Sequence, residues 1–187
     1  MKRSHLLIGA AVLAALIGVT VYAIGPVFIR EFLQGYEETP SVSTGASAVF
    51  NARISTDQSH IDYALSYSEL EGTVQQSHIH IGQKGVAGGI SIFLCTNLGN
   101  GPSGTQPCPQ GPATITGTIT PADVSPNIPA TAGARAQGLD TGEWNEFLAA
   151  LRAGVTYVNV HSSKFPAGEV RSQIDLNHGA QDGESQR

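Results

Sequence analysis

Charged residues are scarce in this 187-residue chain, at 13% of the sequence, and aromatic residues make up only 6%. So low a charged fraction excludes a disordered polyelectrolyte and a long coiled coil, since both depend on charge. The formal net charge of -5 argues against nucleic-acid binding, because tracking a phosphate backbone needs a positive field. The length is that of one domain with a full core.

A long hydrophobic run lies at the N-terminus, where Lys2 and Arg3 precede an uncharged stretch from Leu6 to Ile29. As a helix, this stretch is long enough to cross a bilayer core of about 30 Å and to remain as a single anchor. It also fits a cleaved signal peptide, with Val21-Tyr22-Ala23 as the small-residue exit. Residues 1–29 are therefore predicted to be an anchor or a signal peptide.

Both interpretations of this run predict export of the following domain, because the positive end of the segment stays in the cytoplasm. We expect a protein on the outer side of the cytoplasmic membrane if the segment is retained, held to the membrane by that segment. If the segment is cleaved, we expect a secreted or periplasmic protein.

The chain has only two cysteines, Cys95 and Cys108, and they flank a segment rich in Gly, Pro and Asn. A disulfide between them would persist outside the cytoplasm and would stabilise the loop that it closes. A pair of soft metal ligands is the competing interpretation, but a zinc site usually has four ligands at tighter spacing. The spacing and the predicted compartment favour the disulfide.

Residues 30–176 are predicted to form an all-β domain. Ala48 to Ile54 and Ile61 to Tyr67 alternate apolar with polar or small residues, which is typical of half-buried strands. Clusters of Gly, Pro, Asn and Ser separate the candidate strands, as turns require. About eight short strands predict a β-sandwich or barrel. The other candidates are Phe32–Tyr36, Val74–Gly82, Gly89–Cys95, Ala113–Ile119, Val155–Ser162 and Glu169–Leu176.

A single amphipathic helix interrupts this strand pattern, and a polar tail follows the last strand. Apolar residues recur at helical spacing from Trp144 to Leu151. Asp140 with Glu143 forms a possible capping box, and Gly154 is a plausible helix end. Residues 177–187 are predicted to be flexible.

Two strand-like segments carry most of the polar residues that could form a site. Because side chains alternate along a strand, Ile79, Val158 and Val160 are predicted to point together into the core. The loop between the last two strands is short enough for an antiparallel hairpin, which would place their polar rows side by side. The polar face of this hairpin is predicted to hold Tyr157, Asn159, His161, Glu169, Arg171 and Gln173, and His78 and His80 join it if their strand pairs nearby.

The order of these segments resembles the chordin-type (CHRD) domain family. The resemblance rests on His78-Ile79-His80-Ile81-Gly82, on Tyr157-Val158-Asn159-Val160-His161, and on Phe165-Pro166-Ala167-Gly168-Glu169-Val170-Arg171-Ser172-Gln173. An opening segment from Glu38 to Gly45 is similar as well. The resemblance implies an immunoglobulin-like or Greek-key β-sandwich or barrel in an exported microbial protein. It implies no enzymatic activity, since the family has none that is settled.

A metal site is one interpretation of the polar face. Two histidines at i and i+2 on a strand lie about 6.5–7 Å apart on one face, a span that one ion can bridge. With His161 and Glu169, His78 and His80 make a ligand set suited to copper or zinc. Asn159, Arg171 and Gln173 would then hold the imidazoles in position.

A purely structural hydrogen-bonded network is the alternative interpretation of the same residues, with Glu169 paired to Arg171. The fixed positive charge of Arg171 argues for this network and against a cation. The partner of the domain would then be an unknown protein or glycan at the cell envelope.

The His-x-His pattern is also similar to part of the copper-zinc superoxide dismutase pattern. That enzyme needs a larger set of His and Asp ligands, and His5, His60 and His178 are not placed to complete one. No Gly-x-Ser-x-Gly elbow is present for hydrolysis. The sequence therefore favours a non-enzymatic binding or structural module, with a mononuclear copper or zinc protein as the alternative.

Overall fold

The computed structural model describes residues 25–176, which form eight antiparallel strands and two short helices. The predicted N-terminal helix, up to residue 24, and the predicted tail, 177–187, lie outside the described residues. The helices are α1 (Ala132–Ala136) and α2 (Trp144–Arg152). The strands are β1 (Val27–Gln34), β2 (Ser47–Ile54), β3 (Ile61–Ser68), β4 (Val74–Ile81), β5 (Gly89–Thr96), β6 (Ala113–Ile119), β7 (Thr156–Ser162) and β8 (Val170–Gln173).

All eight strands belong to one sheet, in the order β5-β4-β7-β8-β1-β2-β3-β6. The sheet curves into a nearly closed barrel, so the predicted barrel is confirmed and the two-sheet sandwich is wrong. The carboxamide of Gln106 spans the two edge strands, donating to the carbonyls of Leu94 on β5 and Thr116 on β6, each at 3.1 Å. This side chain satisfies backbone groups that an open edge would leave unpaired.

The barrel interior is built by alternation along the strands. On β1 the inward residues Ile29 and Leu33 are buried, whereas Phe28, Arg30 and Phe32 are exposed. β1 begins at Val27, inside the hydrophobic run, and not near Phe32 as predicted. The Cys95 side chain and the apolar face of α2 belong to the same core cluster. One hydrophobic core therefore unites the barrel wall, the helix and the disulfide loop.

Helix α2 matches the predicted amphipathic helix, with Trp144, Phe147, Leu148 and Leu151 all buried. Half of the predicted capping box forms, because the Asp140 N–H donates to the Glu143 carboxylate at 2.6 Å. Gly154 follows the helix in the left-handed region, with φ of 65°, as a helix end favours. The sequence of α1, Ala-Gly-Ala-Arg-Ala, has no apolar period, which is why that helix was not predicted.

The predicted disulfide is confirmed, since the sulfur atoms of Cys95 and Cys108 are bonded across a sequence separation of 13 residues. Replacing both cysteines with serine removes a cross-link that limits the unfolded chain, so we expect the free energy of unfolding to fall by about 3 kcal/mol. Urea denaturation of the two proteins measures this difference. Equal midpoints with equal slopes would contradict it.

Within residues 25–176, no helix is long and apolar enough to span a membrane.

Candidate functional site

Strand pairing brings the polar segments together. β7 lies between β4 and β8, and the register sets His78 opposite Asn159, and Asn159 opposite Arg171. The predicted hairpin of β7 and β8 is therefore confirmed. Ile79, Val158 and Val160 belong to the core, so the alternate residues face outward.

The outward histidines are nevertheless buried. His78 is 0% exposed, His80 6% and His161 5%. The backbone carbonyls of Gly88 and Pro166, in the loops after β4 and β7, contact the rings of His80 and His161. Water is thus excluded from an outer face that strand alternation alone would leave in solvent.

The three imidazoles converge on a single point. One ring nitrogen from each lies within 4.8 Å of the other two. His78 Nδ1 and His161 Nε2 are 3.2 Å apart, and the ring centroids of these two residues are 5.0 Å apart. Among residues 25–176 this is the one group of His, Cys, Asp or Glu side chains spaced to hold a metal ion.

Backbone carbonyls determine which nitrogen carries the proton. His80 Nδ1–H donates to Gly88 O at 2.9 Å, and His161 Nδ1–H donates to Pro166 O at 3.0 Å. A carbonyl oxygen only accepts, so both neutral rings keep a lone pair on Nε2. His78 Nδ1–H then donates to His161 Nε2, which leaves the buried His78 Nε2 without a protein partner.

Burial keeps all three rings neutral. Desolvation lowers the pKa of His80 to about 3 and that of His161 to about 4. The pKa of His78 is held well below its usual value by burial first, and then by the charges that His161 and His80 would carry. Neutral imidazole is the form that binds metal ions.

The carboxamide of Asn159 lies between two of the rings. Its Oδ1 is 3.1 Å from His80 Nε2 and 3.0 Å from His161 Nε2, and its Nδ2 is 3.3 Å from Glu38 Oε1. An oxygen at that place would require a proton on each Nε2 and hence two buried cations. The opposite amide orientation donates one N–H to each Nε2 and turns the oxygen toward Glu38.

Glu38 complements this second amide orientation. Burial raises the pKa of its carboxyl to about 7, against the hydrogen bonds from Asn159 and the Thr39 N–H, which lower it. A protonated Glu38 donates to the Asn159 oxygen. With Glu38 protonated, the metal-free cluster carries no charge. Two donors, the His78 Nδ1–H and an Asn159 N–H, then share the single lone pair of His161 Nε2, and the buried His78 Nε2 has no protein partner.

The aromatic neighbours separate the histidines from a fixed positive charge. Tyr157 stacks on His80, with ring centroids 4.6 Å apart and planes 7° from parallel. The guanidinium carbon of Arg171 lies 3.4 Å from the centroid of the same Tyr157 ring. Because both groups cannot cover one face, the Tyr157 ring stands between Arg171 and His80.

The rest of the predicted polar row does not join the histidines. Glu169 is fully buried, but its Oε1 accepts from the Thr44 hydroxyl at 2.9 Å and from the Glu71 N–H at 2.8 Å. It lies outside the group that is spaced for a metal ion. The regular strand β8 begins only at Val170, so strand alternation does not fix the direction of the residue before it.

Arg171 and Gln173 have separate partners. Arg171 donates to the Thr39 hydroxyl at 3.2 Å and to the Gln83 carbonyl at 3.1 Å, and no Glu169–Arg171 ion pair forms within the described part of the chain. Gln173 donates to the carbonyls of Gly82 and Gly154. Glu169, Arg171 and Gln173 therefore have separate partners and form no single network with the histidines. Of the predicted polar row, Asn159 contacts the rings of His80 and His161, and Tyr157 stacks on His80.

Glu38 and Phe93 were not predicted on the polar face or as site residues. The Phe93 ring lies edge-on to His78, with centroids 4.4 Å apart. Tyr157 was predicted on the polar face because it precedes Asn159 by two residues on the same strand, and its ring stacks on His80. Glu38 is 121 residues from Asn159 in the sequence, and no local pattern connects the two.

The partners of Glu169 predict a structural role for this carboxylate. Glu169→Ala leaves the Thr44 hydroxyl and the Glu71 N–H without their acceptor, so we expect the free energy of unfolding to fall by about 2 kcal/mol. Glu146→Ala, on the exposed side of α2, is the matched control and should change it by less than about 0.5 kcal/mol. Equal effects of the two substitutions in urea denaturation would refute this role.

Comparison with known families gives one match. The family model described as CHRD domain matches residues 31–174, which covers most of the chain and all three histidines. No significant match was found among curated proteins or among solved structures.

Proposed function

Because this chain belongs to the CHRD domain family, we propose that it is an exported, non-enzymatic binding module that holds one copper or zinc ion. The ligands are one ring nitrogen each from His78, His80 and His161. In this proposal the barrel supplies the rigid wall, and the loops after β4 and β7 supply the carbonyls that orient the rings.

The observation that carries the proposal is the pair of backbone hydrogen bonds to Nδ1. Gly88 O and Pro166 O fix His80 and His161 in the tautomer whose Nε2 lone pair faces the cluster. Metal-binding histidines commonly donate their second ring N–H to a carbonyl or a carboxylate in this way, which orients the ring. Both Nε2 lone pairs are thereby directed into the histidine cluster, where one ion could accept them together.

The spacing of the nitrogens also supports a metal ion. Zinc–nitrogen bonds of about 2.0 Å in a tetrahedral site set neighbouring nitrogens about 3.3 Å apart. The contact between His78 Nδ1 and His161 Nε2 is 3.2 Å. Imidazole donors suit both zinc and copper. Asn159 is the adjacent polar group, and its carboxamide turns to donate to Glu38 when both Nε2 lone pairs are engaged.

A binding role agrees better with the cluster than an enzymatic one does. The histidines are enclosed, so a substrate has no direct approach to a metal held by them. His60 lies 3.6 Å from Asp62 at a strand start and belongs to no group spaced for a second metal ion among residues 25–176. Export is supported by the disulfide and by the basic residues that precede the hydrophobic run.

Isothermal titration of the full chain in detergent with copper(II) and with zinc(II) tests the proposal. We expect one ion per chain, and loss of that binding in the His78→Ala, His80→Ala variant. His60→Ala removes a partly exposed histidine and is the matched control. Far-UV circular dichroism establishes that each variant is folded.

Two results would overturn the metal proposal. The first is an absence of stoichiometric binding to the folded wild-type chain. The second is binding that the cluster variant retains in full. Either result would leave the histidines as a structural network and would direct the search to protein or glycan partners.

A further inference from the structure

The exposed side of β1 carries a row of aromatic and cationic side chains that nothing in the barrel covers. Phe28 is 65% exposed and Phe32 is 62% exposed, whereas large hydrophobic side chains are usually buried. Arg30 lies between them, and Arg53 on β2 is opposite Phe28. We call these four residues the β1 aromatic face.

The β1 aromatic face has a defined chemical character. The guanidinium of Arg30 lies over the Phe32 ring, 5.1 Å from its centroid. Around Phe28 the same surface continues across β2 to Ala64 and Asp62 on β3, and on the other side Phe32 borders a cavity that is also lined by Glu37, Asp175, Lys84 and Arg152. Arg30 and Arg53 against Asp62 give the part around Phe28 an excess of one positive charge within a chain whose net charge is -5. Two exposed phenylalanines on one strand face, with arginines beside them, make it a candidate interaction surface.

We propose that the β1 aromatic face lies against the surface of the lipid bilayer, with the phenylalanine rings in the headgroup region and the arginines on lipid phosphates. The proposal rests on the export part of the proposed function and on retention of the N-terminal run as an anchor, and it is independent of the metal. Aromatic rings favour the membrane interface, and arginine extends its charged end to phosphates while its stem stays in apolar surroundings.

Chain connectivity identifies the bilayer as the occupant. The uncharged run starts at Leu6 and continues into β1, which begins at Val27. Before Pro26 it contains roughly 20 residues, which as a helix measure about 30 Å, the thickness of a bilayer core. Phe28 follows Pro26 by two residues, so it must lie within about 7 Å of the point where such a segment leaves the bilayer.

A second protein chain fits the geometry of the β1 aromatic face less well than a bilayer does. β1 is hydrogen-bonded to β2 on one side and to β8 on the other, so another chain cannot add to it as a strand. In a symmetric dimer, the same face of each copy meets its counterpart, which would bring Arg30 and Arg53 of one copy against those of the other. A bilayer accepts both the rings and the charges.

Tryptophan fluorescence in vesicles tests the proposal on the full chain. Phe32→Trp places an indole on the β1 aromatic face. Leu98→Trp places one on an exposed loop next to β5, four strands away in the barrel order. The wild-type chain, whose Trp144 is buried, gives the background. Each protein is reconstituted into phosphatidylcholine vesicles with and without an anionic phospholipid, and quenching by brominated phospholipid is measured.

We expect the Phe32→Trp signal to be quenched several-fold more than the Leu98→Trp signal, and to be quenched more in anionic than in neutral vesicles. Equal quenching of the two indoles would overturn the proposal. A chain that stays in the aqueous fraction would overturn it as well. A blue shift of the Phe32→Trp emission that depends on protein concentration without lipid would replace the bilayer with a second copy of this chain. None of these results bears on metal binding.

Discussion

Lowering the pH from 7 to 5 is expected to reduce the free energy of unfolding of the metal-free chain by about 4 kcal/mol. His78, His80 and His161 remain neutral in the fold because burial lowers their pKa values, two of them to about 4 and about 3. In the unfolded chain the same groups bind protons near pH 6.5. The unfolded state therefore binds more protons below that pH, and stability falls as the pH falls.

The size of this effect follows from linkage. Each buried histidine costs about 2 kcal/mol at pH 5, so the three together cost about 6 kcal/mol. Glu38 acts in the opposite direction, since its raised pKa, about 7, means that the folded state takes up its proton first. Proton uptake by Glu38 therefore raises the free energy of unfolding by about 2 kcal/mol over the same pH range. The net loss is a large fraction of the stability of a typical domain.

Urea denaturation at several pH values in the presence of a chelator measures this dependence. Glu38→Gln removes the offsetting group and should make the decline with pH steeper. His80→Gln should make it shallower, and His60→Gln is the control at a histidine outside the cluster. A stability that is unchanged between pH 7 and pH 5 would contradict the neutral buried cluster.

Gly88→Ala is expected to destabilise the fold by about 3 kcal/mol and to abolish metal binding. A Cβ at this position would lie 1.8 Å from the Ile81 carbonyl oxygen, which is backbone and cannot turn away. The loop between β4 and β5 must then move, and the carbonyl that holds His80 Nδ1–H moves with it. Overpacking of this kind costs about 1–3 kcal/mol or more, and the loss of the hydrogen bond to His80 adds to that.

Gly85→Ala is the matched control in the same loop. A Cβ there meets nothing within 4 Å, so only its left-handed backbone, with φ of 74°, disfavours alanine, by about 1 kcal/mol. We expect this variant to bind the metal as the wild type does. Thermal unfolding and isothermal titration compare the two variants. Equal effects would show that the Gly88 carbonyl does not orient His80.

The strands of the site could be predicted from the sequence because they obey a local rule. Side chains alternate along β4 and β7, so placing Ile79 and Val158 in the core fixes the direction of His78 and Asn159. The short connection to β8 then predicts the hairpin. Period and loop length did not predict that β4 pairs with β7, and this pairing is what brings the three histidines together.

The segments that bury the histidine face could not be predicted from the sequence, because they reach it through contacts between distant parts of the chain. Glu38 reaches Asn159 only once β1 lies beside β8, which brings the turn after β1 over the sheet. The same non-local pairing closes the sheet into a barrel. A barrel and a two-sheet sandwich have the same number of strands and the same alternation, so the sequence pattern does not distinguish them. Glu169 was misplaced because it precedes the regular part of β8.

Nitrogen NMR of the imidazole rings, in the full chain labelled with ¹⁵N, tests the central claim most directly. Without metal, His80 and His161 should be neutral at pH 7, with the proton on Nδ1. With one equivalent of zinc(II), one nitrogen of each cluster ring should shift, while the nitrogens of His60 stay unchanged. Cationic rings without metal, or cluster nitrogens that zinc leaves unmoved, would contradict a metal site built from His78, His80 and His161.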